Sequence, residues 1–171
     1  YATAIQAEGF ATSEPDNGLV KVEGVAVAKI GETKYATLAK AIAAAQANDV
    51  IVLLADITEN VTVNKNLTID GANDEAVGGK FNYTGTMTAN AGLTVKVQNI
   101  DFVGGGFDKS SKSSTGNYTI KNCTFEDDGD YPYPVRFKGA SSVTIEDCTV
   151  KNYMYSFLYI TSGTNKVSVK N

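Results

Sequence analysis

Beyond residue 50 the chain alternates apolar and polar residues with a period of two, the signature of half-buried strands. Residues 118–125 (YTIKNCTF) and 143–150 (VTIEDCTV) carry one pattern 25 residues apart. Ile120 matches Ile145, Cys123 matches Cys148, and Phe125 matches Val150. Val95, Val97, Ile100 and Phe102 form an earlier copy, 23 residues before Tyr118, Ile120, Cys123 and Phe125, and another begins at Val167. Self-similarity at this period denotes stacked units, none able to bury its apolar side alone. The units are strands: β-branched and aromatic residues alternate with polar ones, Gly, Asn, Asp and Ser punctuate them, and no helix-forming run intervenes. A repeat of this size holding two or three short strands is one turn of a parallel β-helix. Val97, Ile120, Ile145 and Val169 are therefore predicted to lie one above another along a common axis.

Residues 1–33 do not follow the repeat. The turn-forming residues 14–18 (EPDNG) precede short strands at 19–22 and 25–30, followed by a tight turn at Gly31-Glu32, which reads as a β-hairpin, a linker, or the tail of a preceding module. Residues 34–47 form the one convincing helix, with Thr37 as N-cap and Leu38, Ala41, Ile42 and Ala45 on one face. Strands follow at 50–54, 56–63 and 67–71, a first full coil. A helix at this place would cover the open end of a β-helix. Residues 78–92 read as an irregular coil, with a strand only around Phe81 and Tyr83. The glycines 104–106 and the Ser/Lys-rich stretch 109–116 read as one exposed loop, and 126–134 (EDDGDYPYP) as another. Residues 135–138 and 157–160 read as equivalent strands, with Val135, Phe137, Leu158 and Ile160 inward and Arg136, Lys138, Phe157 and Tyr159 outward.

The run 34–71 (KYATLAKAIAAAQANDVIVLLADITENVTVNKNLTIDG) resembles the N-terminal cap and first coil of the pectin-lyase-like, right-handed parallel β-helix superfamily. It is most similar to the β-helix modules of large surface proteins of gut bacteria, where a segment like 27–38 (VAKIGETKYATL) opens a module that follows another. The similarity is close over 27–71 and extends to later coils by pattern, so it implies a fold more firmly than a function. The expected architecture is all-β: a short segment at 1–33, then a right-handed parallel β-helix of about five coils over 34–171. The chain stops midway through a coil at Asn171, so further modules of a parent chain, or a stacked copy, are expected at that end.

Composition narrows the chemistry. The net charge is −4, Arg136 is the one arginine, and histidine and tryptophan are absent. Neither nucleic acid nor an anionic membrane suits such a surface, and no run reaches the roughly 18 apolar residues that span a bilayer. Cys123 and Cys148 fall at one inward position on adjacent coils, about 4.8 Å apart. A bridge wants Cβ atoms nearer about 3.8 Å and a crossed geometry that an in-register parallel pair does not readily supply, so stacked free thiols are expected rather than a bridge. No cofactor is expected, although Asp127, Asp128 and Asp130 cluster on a loop whose carboxylates suit Ca2+. Five N-x-T triplets, at Asn60, Asn66, Asn82, Asn117 and Asn122, read as structural asparagines at turns.

Aromatic residues crowd one region: Tyr131, Tyr133, Tyr153, Tyr155, Phe157 and Tyr159. Sugar rings stack on exposed aromatic faces, and with Arg136 and Lys138 these residues make a candidate ligand site; an exposed apolar patch equally suits a protein contact. In superfamily enzymes that cleave uronate polymers, an arginine or lysine base works beside carboxylate-held calcium. Only Arg136 or Lys138 near Asp127, Asp128 and Asp130 would fit those parts, and neither the longer lyase signatures nor an inverting-hydrolase carboxylate set occurs. The expectation is thus a non-catalytic extracellular or cell-surface bacterial module that binds a glycan or a host or cell-surface protein. Alternatives are a phage virion surface protein, which would use the β-helix as a rigid projection, and a polysaccharide lyase fragment.

Overall fold

The computed structural model describes residues 10–12, 22–73, 79–126, 133–152, 156–161 and 163–171. Three sheets of parallel strands stack from Asp49 to Lys170. Sheet 1 stacks Asp49–Leu53, Leu67–Asp70, Thr94–Gln98, Asn117–Lys121, Ser142–Glu146 and Val167–Lys170. Sheet 2 stacks Ile57–Thr58, Gly79–Thr84, Ile100–Val103, Thr124–Glu126 and Thr149–Lys151. Sheet 3 stacks Val61–Val63, Thr86–Ala89, Gly106–Lys109, Val135–Phe137 and Leu158–Ile160. Each coil gives one strand to each sheet in turn, so the protein is a parallel β-solenoid. The expected column is present: Val97 pairs with Ile120, Ile120 with Ile145, and Ile145 with Val169.

Alternation along each strand sends every second side chain inward, where the rungs repeat similar residues. Phe102 and Phe125 stack with centroids 4.8 Å apart and planes 3° from parallel, and Tyr83 meets Phe102 edge-on at 5.4 Å. The corner after sheet 1 takes a left-handed residue on three successive rungs. Asn99, Asn122 and Asp147 supply it, with φ of 56°, 48° and 53°. Asparagine and aspartate tolerate that conformation better than other side chains with a Cβ. The Asn99 amide donates to Asp70 Oδ1 at 2.8 Å and the Asn122 amide to Asn99 Oδ1 at 2.7 Å, a ladder across coils. Asn60 and Asn66 accept from the backbone N–H groups of Thr86 and Thr94 at 2.7 and 2.9 Å. The structural reading of the N-x-T asparagines holds at these positions.

The helix is shorter than expected, Leu38–Ala44 rather than 34–47. Its N-terminal neighbours are used elsewhere: Thr33–Tyr35 forms a hairpin with Ala28–Ile30, and Ala28–Ile30 pairs antiparallel with Asp49–Leu53. That hairpin, placed partly before residue 34, therefore extends sheet 1 itself. Thr37 remains the N-cap, accepting from the Lys40 N–H at 3.1 Å, and Leu38, Ala41, Ile42 and Ala45 are buried as the periodicity required. Phe10–Thr12 and Val22–Gly24 form a separate antiparallel pair, and most of the expected strand 19–22 lies outside the described residues.

Two segments taken for irregular chain are strands. Over 78–92, Gly79–Thr84 and Thr86–Ala89 pair in register with both neighbouring coils. The threonines of 84–88 had the look of a loop, but they are outward positions flanking the buried Met87. Gly106–Lys109, assigned to an exposed loop, is instead buried throughout. Gly105 and Gly106 are required there by close packing: a Cβ would fall on the carbonyl oxygen of Gly85 or of Pro134 respectively.

Candidate functional site

Two of the aromatic residues singled out in the sequence, Tyr133 and Tyr159, meet beside the outer face of sheet 3. In the strand Val135–Phe137, Val135 and Phe137 enter the core and Arg136 faces out. Register makes Asp108 its neighbour on one side and Tyr159 on the other, with Thr88 and Thr62 continuing the column. Arg136 grips Asp108 with two bonds, Nε to Oδ1 at 3.0 Å and Nη2 to Oδ2. Asp108 is only 4% exposed, and a carboxylate so covered needs such a fork of donors. One rung further, Tyr159 is 38% exposed, and its ring lies 4.8 Å from that of Tyr133 at an angle of 40°. Tyr133, Arg136 and Tyr159 are thus brought together, as the sequence suggested.

Other candidates are placed differently. Phe157 does not point outward: it sits in the bend before the strand Leu158–Ile160, where strand alternation does not apply, and packs on Phe125 at 5.3 Å. Lys138 lies just past its strand, half-buried, and its backbone N–H donates to the Lys109 carbonyl at 3.0 Å. Leu158 and Ile160 do pack against the core, though only partly buried. Asp127, Asp128, Asp130, Tyr131, Tyr153 and Tyr155 lie outside the described residues. Glu126, at the start of that acidic stretch, pairs with Lys151 on the next coil at 3.7 Å.

Sequence reasoning missed Asp108 and Lys109. The available signal was Phe107, an apolar residue standing between Met87 and Val135 at unequal spacings, which the glycines on one side and serines on the other disguised. Lys109 is fully buried, and its ammonium donates to the carbonyls of Ser111, at 2.6 Å, and Ser113. Burial pushes its pKa below the ordinary lysine value. The lysine thereby holds the loop 110–116 against the body, where the Lys112 and Ser113 carbonyls come so close to Gly139 that a side chain there would collide with them. A cavity of about 250 Å³ lies elsewhere, at the N-terminal end between sheets 1 and 2, lined by Lys29, Val52, Leu54, Asn73 and Phe81. None of the predicted site residues borders it.

Comparison with protein-family models, with curated proteins and with solved structures gave no match. What defines the class of this protein is its architecture, a parallel β-solenoid closed at one end by a helix.

Proposed function

We propose that this chain is a non-catalytic β-helix module of an extracellular or cell-surface protein, akin to the pectin-lyase-like modules its N-terminal part resembles, and that it binds a glycan on the outer face of sheet 3. One observation carries the reading: Tyr159 shares an outward column with the Arg136–Asp108 fork, and the Tyr133 ring packs on it. An exposed ring offers an apolar face to the C–H side of a sugar, and neighbouring charged groups offer hydrogen bonds to its hydroxyls. The same arrangement argues against proton abstraction by Arg136, since this guanidinium is engaged by the covered Asp108 carboxylate, which favours its charged form.

The test is a screen of the chain against immobilised neutral and uronate oligosaccharides, repeated with Tyr159→Ala. Tyr159 is exposed enough that the substitution leaves the core intact. The expected result is a ligand whose affinity falls at least about tenfold in the variant, the effect of losing one central aromatic contact. No binding by the wild-type chain overturns the proposal, and so does binding that Tyr159→Ala leaves unchanged. Appearance of unsaturated uronate product in the ultraviolet would replace the binding module with the lyase.

A further inference from the structure

Cys123 and Cys148 stand on adjacent coils, each just before a strand of sheet 2, and the register Thr124 to Thr149 sets them side by side. Both are free thiols. Their environments repeat: the Cys123 sulfur donates to the carbonyls of Lys121 at 3.3 Å and Val97 at 3.9 Å, and the Cys148 sulfur to those of Glu146 at 3.2 Å and Ile120 at 3.7 Å. Each thiol thus leans toward the coil below it, and Cys148 leans toward Cys123. Yet the two differ in access, because Cys123 is fully buried and Cys148 only partly so.

The ionisation of the pair is divided in the same sense. Burial pushes the Cys123 thiol well up, so it keeps its proton. The neighbouring Cys123 thiol pulls Cys148 down to about 7 despite partial burial, helped by the Lys80 ammonium nearby. Lys80 is anchored there by Asp101 at 3.5 Å and Thr124 at 3.3 Å. A reachable thiolate beside a sheltered thiol is the division of labour between an attacking and a resolving cysteine.

We propose that Cys148 and Cys123 form a peroxide-reactive pair that closes to a disulfide between the last two complete coils. The Cys148 thiolate attacks one oxygen of a hydroperoxide, the O–O bond breaks, and Cys148 becomes a sulfenic acid while hydroxide (or alkoxide) leaves. The Cys123 sulfur then attacks the Cys148 sulfur. The S–O bond breaks, and the departing hydroxide takes the Cys123 proton as water. The two thiols give up two electrons, and the peroxide bond accepts them. In-register Cα atoms about 4.8 Å apart fall inside the roughly 4.4–6.8 Å that a disulfide spans. Closure turns the side chain of Cys148, the partner with room to move. The bridge would tie Thr149–Lys151, whose residues are all exposed, to the better-buried Thr124–Glu126.

The experiment is titration of the folded chain with hydrogen peroxide, followed by alkylation, intact mass and peptide mapping without reductant. The expected product is two hydrogens lighter, links the peptides of residues 123 and 148, and reverts with dithiothreitol. In Cys123→Ser the Cys148 sulfenic acid accumulates and is trapped by dimedone, and in Cys148→Ser peroxide consumption slows by at least about tenfold. The wild-type chain decides the matter without any variant. Oxygen added at either cysteine with no linked peptide overturns the proposal, as does Cys123 alkylating as fast as Cys148.

Discussion

Tyr83 shows how a single residue carries a condition on the whole fold. Its ring is fully buried beneath the Phe102 edge, and its hydroxyl reaches the Glu59 carbonyl at 2.8 Å, joining two coils. Burial, with the Glu59 carboxylate adding to it, raises the phenol pKa far above its ordinary value of 10.0. Tyr118 is raised in the same direction by burial, its hydroxyl on the Asn90 carbonyl at 2.7 Å. A group whose folded pKa exceeds its unfolded one binds its proton more tightly when folded. Its contribution is therefore complete below the unfolded value and is lost as pH rises beyond it. The unfolding free energy from urea titrations is expected to fall above about pH 10, by up to about 1.4 kcal/mol per pH unit for each phenol that stays protonated in the fold. In Tyr83→Phe the alkaline slope should be shallower by one such group. At neutral pH the variant should lose about 1–2 kcal/mol, because the Glu59 carbonyl is left without its donor. Parallel slopes for the two proteins would remove Tyr83 from this role.

At the scale of one element, the cap helix is instructive because it is too short to stand alone. Seven residues make barely two turns, below the length at which an isolated helix persists in water. Both its ends are tied to the first coil. The Glu59 carboxylate accepts from the N–H groups of Leu38 at 2.8 Å and Ala39 at 3.3 Å. The Lys65 ammonium donates to the carbonyls of Ile42, Ala43 and Ala45 at 3.0, 2.7 and 2.8 Å. An anion sits at the N-terminus and a cation at the C-terminus, each satisfying groups the helix cannot satisfy itself. Lys65→Met should destabilise the chain by about 1–3 kcal/mol. Amide exchange across 38–45 should accelerate more than at Asn117–Lys121, and equal acceleration at both places would mean that the lysine acts on global stability alone. These ties also explain what could be read in advance. Alanine propensity and the Leu38–Ile42 face announced a helix, whereas its exact ends depend on Glu59 and Lys65, some twenty residues away. Likewise Tyr159 and Arg136 could be paired by alternation, but Asp108 could not. Its strand follows glycines chosen for contact with Gly85 and Pro134, and local sequence renders those the same way as a flexible loop. Phe157 turns inward because a bend precedes the strand, so the alternation begins one residue later than the apolar pattern does.

For the molecule as a whole, stacking makes stability a matter of neighbours. Each coil contacts the one before and the one after, so a side chain's worth depends on how many rungs cover it, not on its own identity. The column through Val97 makes the comparison directly. Val97 and Ile120 are fully covered and Ile145 is 1% exposed, while Val169, in the same position of the last rung, is 63% exposed. Val167 and Val150 at that edge are likewise open, at 42% and 40%. Ile120→Ala should therefore cost about 2–5 kcal/mol, since it leaves a cavity that rungs on both sides hold open. Val169→Ala should change stability by less than about 0.5 kcal/mol, as at a surface site. Urea denaturation of the two variants checks this, with amide exchange of the wild-type chain as an independent reading. Protection should be highest at Thr94–Gln98 and Asn117–Lys121 and lowest at Val167–Lys170, where only one neighbouring strand, Ser142–Glu146, pairs with the edge. Equal losses in the two variants would mean that the last rung is covered in solution, and that the open face of this solenoid is an interface.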